Sequence, residues 1–107
     1  MPKVEVRISG APEKEKIQSK LAFSAIVKGD VIIQSRLESD ATLNDHLVWL
    51  WGMLKNERRF LKTLQAEGAR ISCHCTTSKR EIHLLPNAAE MIHLLGIELI
   101  IETKSSS

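Results

Sequence analysis

Cys73, His74 and Cys75 are the residues whose types speak most directly of chemistry, because two thiols and an imidazole are zinc ligands. Their spacing argues against a metal. Ala69, Ile71, Cys73 and Cys75 alternate with Arg70, Ser72, His74 and Thr76, the period of a strand, so the thiols share one face and the imidazole takes the other. A structural zinc site needs four ligands converging at about 2.0 to 2.3 Å, and the chain has no second cysteine pair to complete one. On a strand the two cysteine Cα atoms also stand roughly 6.6 to 7 Å apart, at or beyond disulfide reach. The expectation is a pair of reduced core thiols, with neither metal nor cofactor.

Glu90 and His93, three apart on a predicted helix, share a face as in carboxylate-bridged iron sites, but such sites need two of these pairs and two further glutamates. An acid in the first helical turn and a surface histidine are expected instead. His46 and His83 are isolated in sequence and receive no role. Glycine-rich phosphate loops, a serine elbow and a His-Glu-x-x-His motif are absent from the chain. Enzymatic chemistry is therefore not indicated. The alternative is a small enzyme or ligand carrier whose site gathers His74, His83 or His93 with a carboxylate from separate elements.

The stretch from Thr42 to Gly68 must position whatever function there is. Leu43, Leu47, Leu50, Leu54, Leu61 and Leu64 recur at threes, fours and sevens, which predicts a core helix. Thr42 and Asp45 resemble a capping box, and Gly68 suits a left-handed cap. A break is expected near Asn56, since a straight helix would bring Glu57 and Arg58 to the borders of the leucine stripe. At about 100° per residue, Trp49 and Trp51 lie about 200° apart, so one face cannot bury both. Trp49, Met53 and Phe60 cluster beyond one edge of the stripe, and aromatics with methionine are what buried interface cores favour. These three residues are the candidate interaction surface, for a homodimer or a protein partner; the other readings are a loop at residues 37–42 folded over Trp49 and a small-molecule pocket. Lys55, Arg59 and Lys62 gather on the opposite side as an expected solvated face, with phosphate binding as the competing reading.

Around this helix the elements read βαββ, long α, ββαβ. Val4, Val6 and Ile8 alternate with charges as a strand; Pro12 opens a short helix carrying Ile17 and Leu21. Ala25 to Val27 and Val31 to Ile33, the second arm extending towards Leu37, flank Lys28-Gly29-Asp30 as a hairpin. The Cys73 strand turns at Thr77 to Arg80 into a short strand at Ile82 and Leu84. Asn87 is expected to cap a helix through Met91 and Leu95, with Glu90 in its first turn, and Gly96 ends it before a strand at Ile97 to Ile101. The plan of strand, proline, short helix and strand occurs twice, at Ile8 to Val27 and Leu84 to Ile101. The fold expected is α+β: a mixed, largely antiparallel sheet with helices mainly on one face.

Bulk properties agree. A chain of 107 residues holds one domain, 1–104, followed by a polar tail, 105–107. With 15 basic against 13 acidic residues the formal charge is +2, which does not favour nucleic acid. Apolar runs fall far short of the roughly 20 residues of a membrane span, and the start lacks a secretory core, so a cytoplasmic location is expected.

The second half also resembles a known family. Leu47 to Leu54, Phe60 to Leu64, Gly68, Arg70 to Cys75, Leu84-Leu85-Pro86 and Met91 to Leu99 look like the bacterial domain of unknown function 4279 family, and the Lys28-Gly29-Asp30 turn is similar too. That resemblance implies a bacterial α+β domain and brings no catalytic residues. The functional expectation is thus a non-catalytic binding or interaction module, dimeric or with a protein partner, acting through Trp49, Met53 and Phe60 or through an exposed sheet edge; a toxin-neutralising immunity protein is one form of it.

Overall fold

The computed structural model describes residues 3–21, 23–38, 40–78 and 82–103. Lys79 and Arg80 of the expected turn, and the polar tail, lie outside the described residues. Five strands, β1 (Lys3–Ser9), β2 (Ser24–Val27), β3 (Asp30–Gln34), β4 (Arg70–Thr77) and β5 (Glu98–Thr103), form one sheet in the order β2-β3-β1-β4-β5. Every pairing is antiparallel except β4 with β5. The helices are α1 (Lys14–Lys20), α2 (Leu43–Leu54), α3 (Arg58–Ala66) and α4 (Pro86–Leu95). The protein is an α+β domain. Among the described residues no helix is long and apolar enough to cross a membrane.

The central strand β1 explains the layering. Val4, Val6 and Ile8 are buried, and the residues registered with them, Ile33 and Val31 on β3 and Cys75, Cys73 and Ile71 on β4, are buried on the same face. The period of two therefore builds a continuous apolar floor. Ile17 of α1, Leu47, Leu50 and Leu54 of α2, Leu61 of α3 and Met91 with Leu95 of α4 lie over it in one cluster. The opposite face carries Glu5, Arg7, Ser72, His74 and Thr76 and has no helical layer.

Local signals decide the joints. Lys28 and Gly29 both adopt positive φ, 50° and 86°, as a two-residue hairpin turn requires. Thr42 and Asp45 form the reciprocal capping box at the start of α2. The long helix breaks at Lys55–Glu57 into a single 3-10 turn. Three residues at about 120° instead of about 100° advance the chain by about 60°, which carries Leu64 back beneath the stripe set by Leu50 and Leu54. After α3, Gly68 takes φ 102°, and Ala69 donates its N–H to the Leu64 carbonyl.

Four details differ from the sequence reading. Ile82 and Leu84 lie in irregular chain, not in a strand. Both edges of β4 are taken by β1 and β5, so no inner ladder is open to that segment, and the Leu85 N–H goes to the Asn44 side chain instead. The duplicated plan loses its second initial strand for the same reason. β3 stops at Gln34 rather than Leu37: Ser35 gives the last ladder bond, its N–H to the Val4 carbonyl, while its hydroxyl turns to His46 Nδ1 at 2.7 Å. Finally, Leu85 occupies the cap of α4 with Pro86 at the first helical position, leaving Glu90 beyond the first turn. Asn87 instead uses its Oδ1 to accept from the Asn44 Nδ2 and from the Ala88 N–H.

Asn44, buried at the start of α2, thus binds the start of α4 through both ends of its amide. Asn44→Ala should cost about 2 kcal/mol, because it removes two hydrogen bonds that a buried amide makes to the start of α4. Loss of the exposed cap in Thr42→Ala should cost about 1 kcal/mol. Urea denaturation of the two variants checks the order: equal losses would mean that the Asn44 bridge adds nothing beyond a cap.

Candidate interaction surface

The leucines of α2 spend one face of that helix on the sheet, and the two tryptophans must flank it. Both indoles are half-buried. Trp49 meets Phe23, from the connection between α1 and β2, with ring centroids 6.0 Å apart and planes inclined by 43°. The Arg36 guanidinium lies 4.8 Å from the centre of the Phe23 ring. Leu37 and Ala41, from the loop considered as a cover, only border the shallow hollow of about 440 Å³ beside Trp49. Phe60 turns towards α1, where Lys20 Nζ stands 5.2 Å from its ring centre and Ile17 shares a groove with it. Met53 is exposed. The structure therefore gives Trp49 and Phe60 separate neighbours and brings Trp49 to Phe23 and the start of β2.

Three exposed apolar residues meet at that junction. Phe23 is 50% exposed, Val27 45% and Ile26 37%. Phe23 also has φ 61°, in the left-handed region that an aromatic residue rarely adopts. The conformation holds its ring against Trp49 and Arg36 rather than under the helices.

Ladder alternation shows what the backbone of β2 offers. Ser35 donates its N–H to the Val4 carbonyl, so the pairs Val6 with Ile33 and Ile8 with Val31 are the hydrogen-bonded ones between β3 and β1. Asp30 and Ile32 must then aim their amides at Val27 and Ala25 of β2. By the same alternation Ser24 and Ile26 direct their N–H and C=O groups outwards, away from the sheet. The strand Ser24-Ala25-Ile26-Val27 contains no charge and no proline to blunt that edge. At the other edge β5 carries Glu98 and Glu102, and Arg70 binds Glu98 at 3.0 Å. Of the two edges only β2 is undefended.

The polar groups of the open face form a second, smaller arrangement. Glu5 is buried although no helix covers it, because Arg7 Nη2 and Lys3 Nζ fold over its carboxylate at 3.2 and 4.0 Å. Opposite Glu5 on β4 stands His74, whose Nε2 is 2.9 Å from the Ser72 hydroxyl. With Thr76, Ile100 and Glu102 these residues line a hollow of about 200 Å³. Cys73 and Cys75 are buried on the helical side and unbridged, the opposite side from His74. The neighbouring Cys75 thiol and burial push the Cys73 thiol well above its ordinary range. No three potential ligands converge among the described residues. Glu90, His83 and His93 are exposed.

No protein-family model, curated protein or solved structure matches the chain. Sequence reading missed Phe23 and Ile26 as parts of a surface. The available signal was that Ala25, Ile26 and Val27 are apolar in succession, leaving one face of a four-residue strand without a polar residue to mark the solvent.

His46, isolated in sequence, is buried against Ser35, and among the described residues its Nε2 has no hydrogen-bond partner. Burial lowers its pKa from the ordinary 6.5, with Asp45 opposing the shift. The folded state therefore resists protonation, so stability present above pH 6.5 is lost as pH falls from there through the lowered folded value. Urea midpoints taken at neutral and mildly acidic pH should show this loss, and His46→Gln should remove that part of it. An unchanged acid slope in the variant would assign the loss to other groups.

Proposed function

We propose that this protein is a non-catalytic interaction module that works as a symmetric homodimer through the edge of β2, with Phe23 and Trp49 beside the joint. The observation that carries the reading is the uncharged, outward-facing edge formed by Ser24 and Ile26, against a β5 edge guarded by glutamates. A second copy is the natural occupant, because an antiparallel strand pairs with itself across a two-fold axis, an isologous contact. With the axis at Ile26, that residue faces Ile26 of the second copy in a hydrogen-bonded pair, and Ala25 faces Val27. The five-stranded sheets would join into one of ten strands. Lys28 would lie near Ser24 of the other copy, so the joint brings no like charges together.

Supporting the apolar share of the contact are the exposed Phe23, Ile26 and Val27 and the half-exposed Trp49. Met53 and Phe60 extend the same flank of the helical layer along the chain. The setting we propose is the bacterial cytoplasm, with neutralisation of a toxin as one role for the dimer. Two unbridged thiols suit a reducing compartment, and the family resemblance of the second half suggests the source. A second reading draws on Glu5 and His74, a carboxylate and an imidazole facing each other across strands in the hollow of the open face. In that reading the chain is a small ligand carrier or enzyme.

Sedimentation tests the dimer. At roughly 100 µM, well above the Kd of a micromolar complex, the wild type should run as a dimer. Ile26→Lys should run as a monomer with unchanged far-ultraviolet circular dichroism, because the charge enters an edge that the lone protomer leaves in water. Trp49→Ala should weaken the dimer without unfolding the chain. A wild type that stays monomeric at that concentration overturns the proposal.

A further inference from the structure

The break between α2 and α3 exposes a surface that the dimer does not use. Lys55, Arg58, Arg59 and Lys62, together with Asn56, line a hollow of about 680 Å³, with no acidic residue among the described residues of its wall. On helical chain these four cations stand three, four and seven positions apart, so each has like-charged neighbours at i+3 or i+4 and the set repels itself. Opposite charges do not relieve it. Among the described residues, Lys55, Arg59 and Lys62 form no ion pair, and the one acid of the segment, Glu57, is turned to Lys20 at 3.8 Å on the other flank. Arg58 stands with its guanidinium 5.9 Å from the ring centre of Trp51. The concentration is local: the chain as a whole carries a formal charge of only +2.

We infer that this hollow is a binding site for a small molecule bearing more than one phosphate group. Its wall is made of exposed side chains open to solvent, and two guanidinium forks with two ammonium groups supply the planar and point donors that phosphate oxygens accept. A multivalent phosphate neutralises the repulsion that the fold otherwise sustains, whereas a monovalent anion meets only part of it. Trp51, half-buried and outside the lining, steadies Arg58 over its ring. The sequence suggested a solvated face because Lys55, Arg59 and Lys62 have no aromatic residue among them. The tertiary structure brings Arg58 and Asn56 into the same lining and sets Trp51 beside Arg58.

Calorimetric titration of the full chain with inorganic pyrophosphate, in about 150 mM salt, tests the site. Binding with a Kd below about 1 mM is expected. The double variant R59Q/K62Q, both exposed positions, should bind at least about tenfold more weakly, since each lost charge removes a charge-assisted contact. Its melting temperature without ligand should equal or exceed that of the wild type, as repulsion is relieved. Pyrophosphate binding that is absent, or unchanged in the variant, overturns the inference. So does a single-stranded oligonucleotide that binds more tightly than pyrophosphate, which would assign the surface to nucleic acid. Ile26→Lys should bind pyrophosphate as the wild type does, so this site and the dimer succeed or fail separately.

Discussion

Only one face of the sheet is covered, and the rest of the molecule follows from how that cover is made. Three helical rows must shield five strands, and the leucine stripe of α2 and α3 supplies the middle of the shield over β1. A helix offers an apolar arc of limited width, so filling it with Leu43, Leu47, Leu50 and Leu54 pushes both tryptophans to its borders. The 3-10 turn keeps Leu61 and Leu64 on the sheet, and it also opens the basic hollow. One packing requirement thus generates both the apolar flank and the cationic one.

The uneven edges are a second consequence. β3, β1 and β4 sit inside the sheet and pair on both sides, while β2 and β5 pair on one side only among the described residues. On β5, glutamates keep the free edge in water. On β2, three apolar residues with an exposed phenylalanine beside them do the opposite. An edge of that composition invites another strand, and it lies at the end of the sheet farthest from α4 and β5.

Buried polar groups show how the fold holds its helices in register. Asn44 ties α2 to α4, and Ser35 ties the exit of β3 to His46 in the first turns of α2. Both links join side chains to partners separated from them by loops, and each has a buried residue, Asn44 or His46, at one end. His46 is satisfied at only one nitrogen, so the same link that anchors α2 makes the domain sensitive to acid.

Residue patterning alone determined the strands at Val4 to Ile8 and Ile71 to Cys75, the capping box at Thr42, the break near Asn56 and the inward thiols. Each depends on neighbours within a few positions, where periodicity and turn chemistry act directly. Tertiary structure decided the rest. Ile82 and Leu84 have a strand-like sequence, yet β5 takes the free side of β4 and leaves them no inner ladder. The pairing of Trp49 with Phe23, of Arg58 with Trp51 and of Glu5 with His74 depends on which segments the sheet order places side by side. Local spacing carries no information about that order, because the energy that selects it is the burial of apolar surface between segments far apart in the chain.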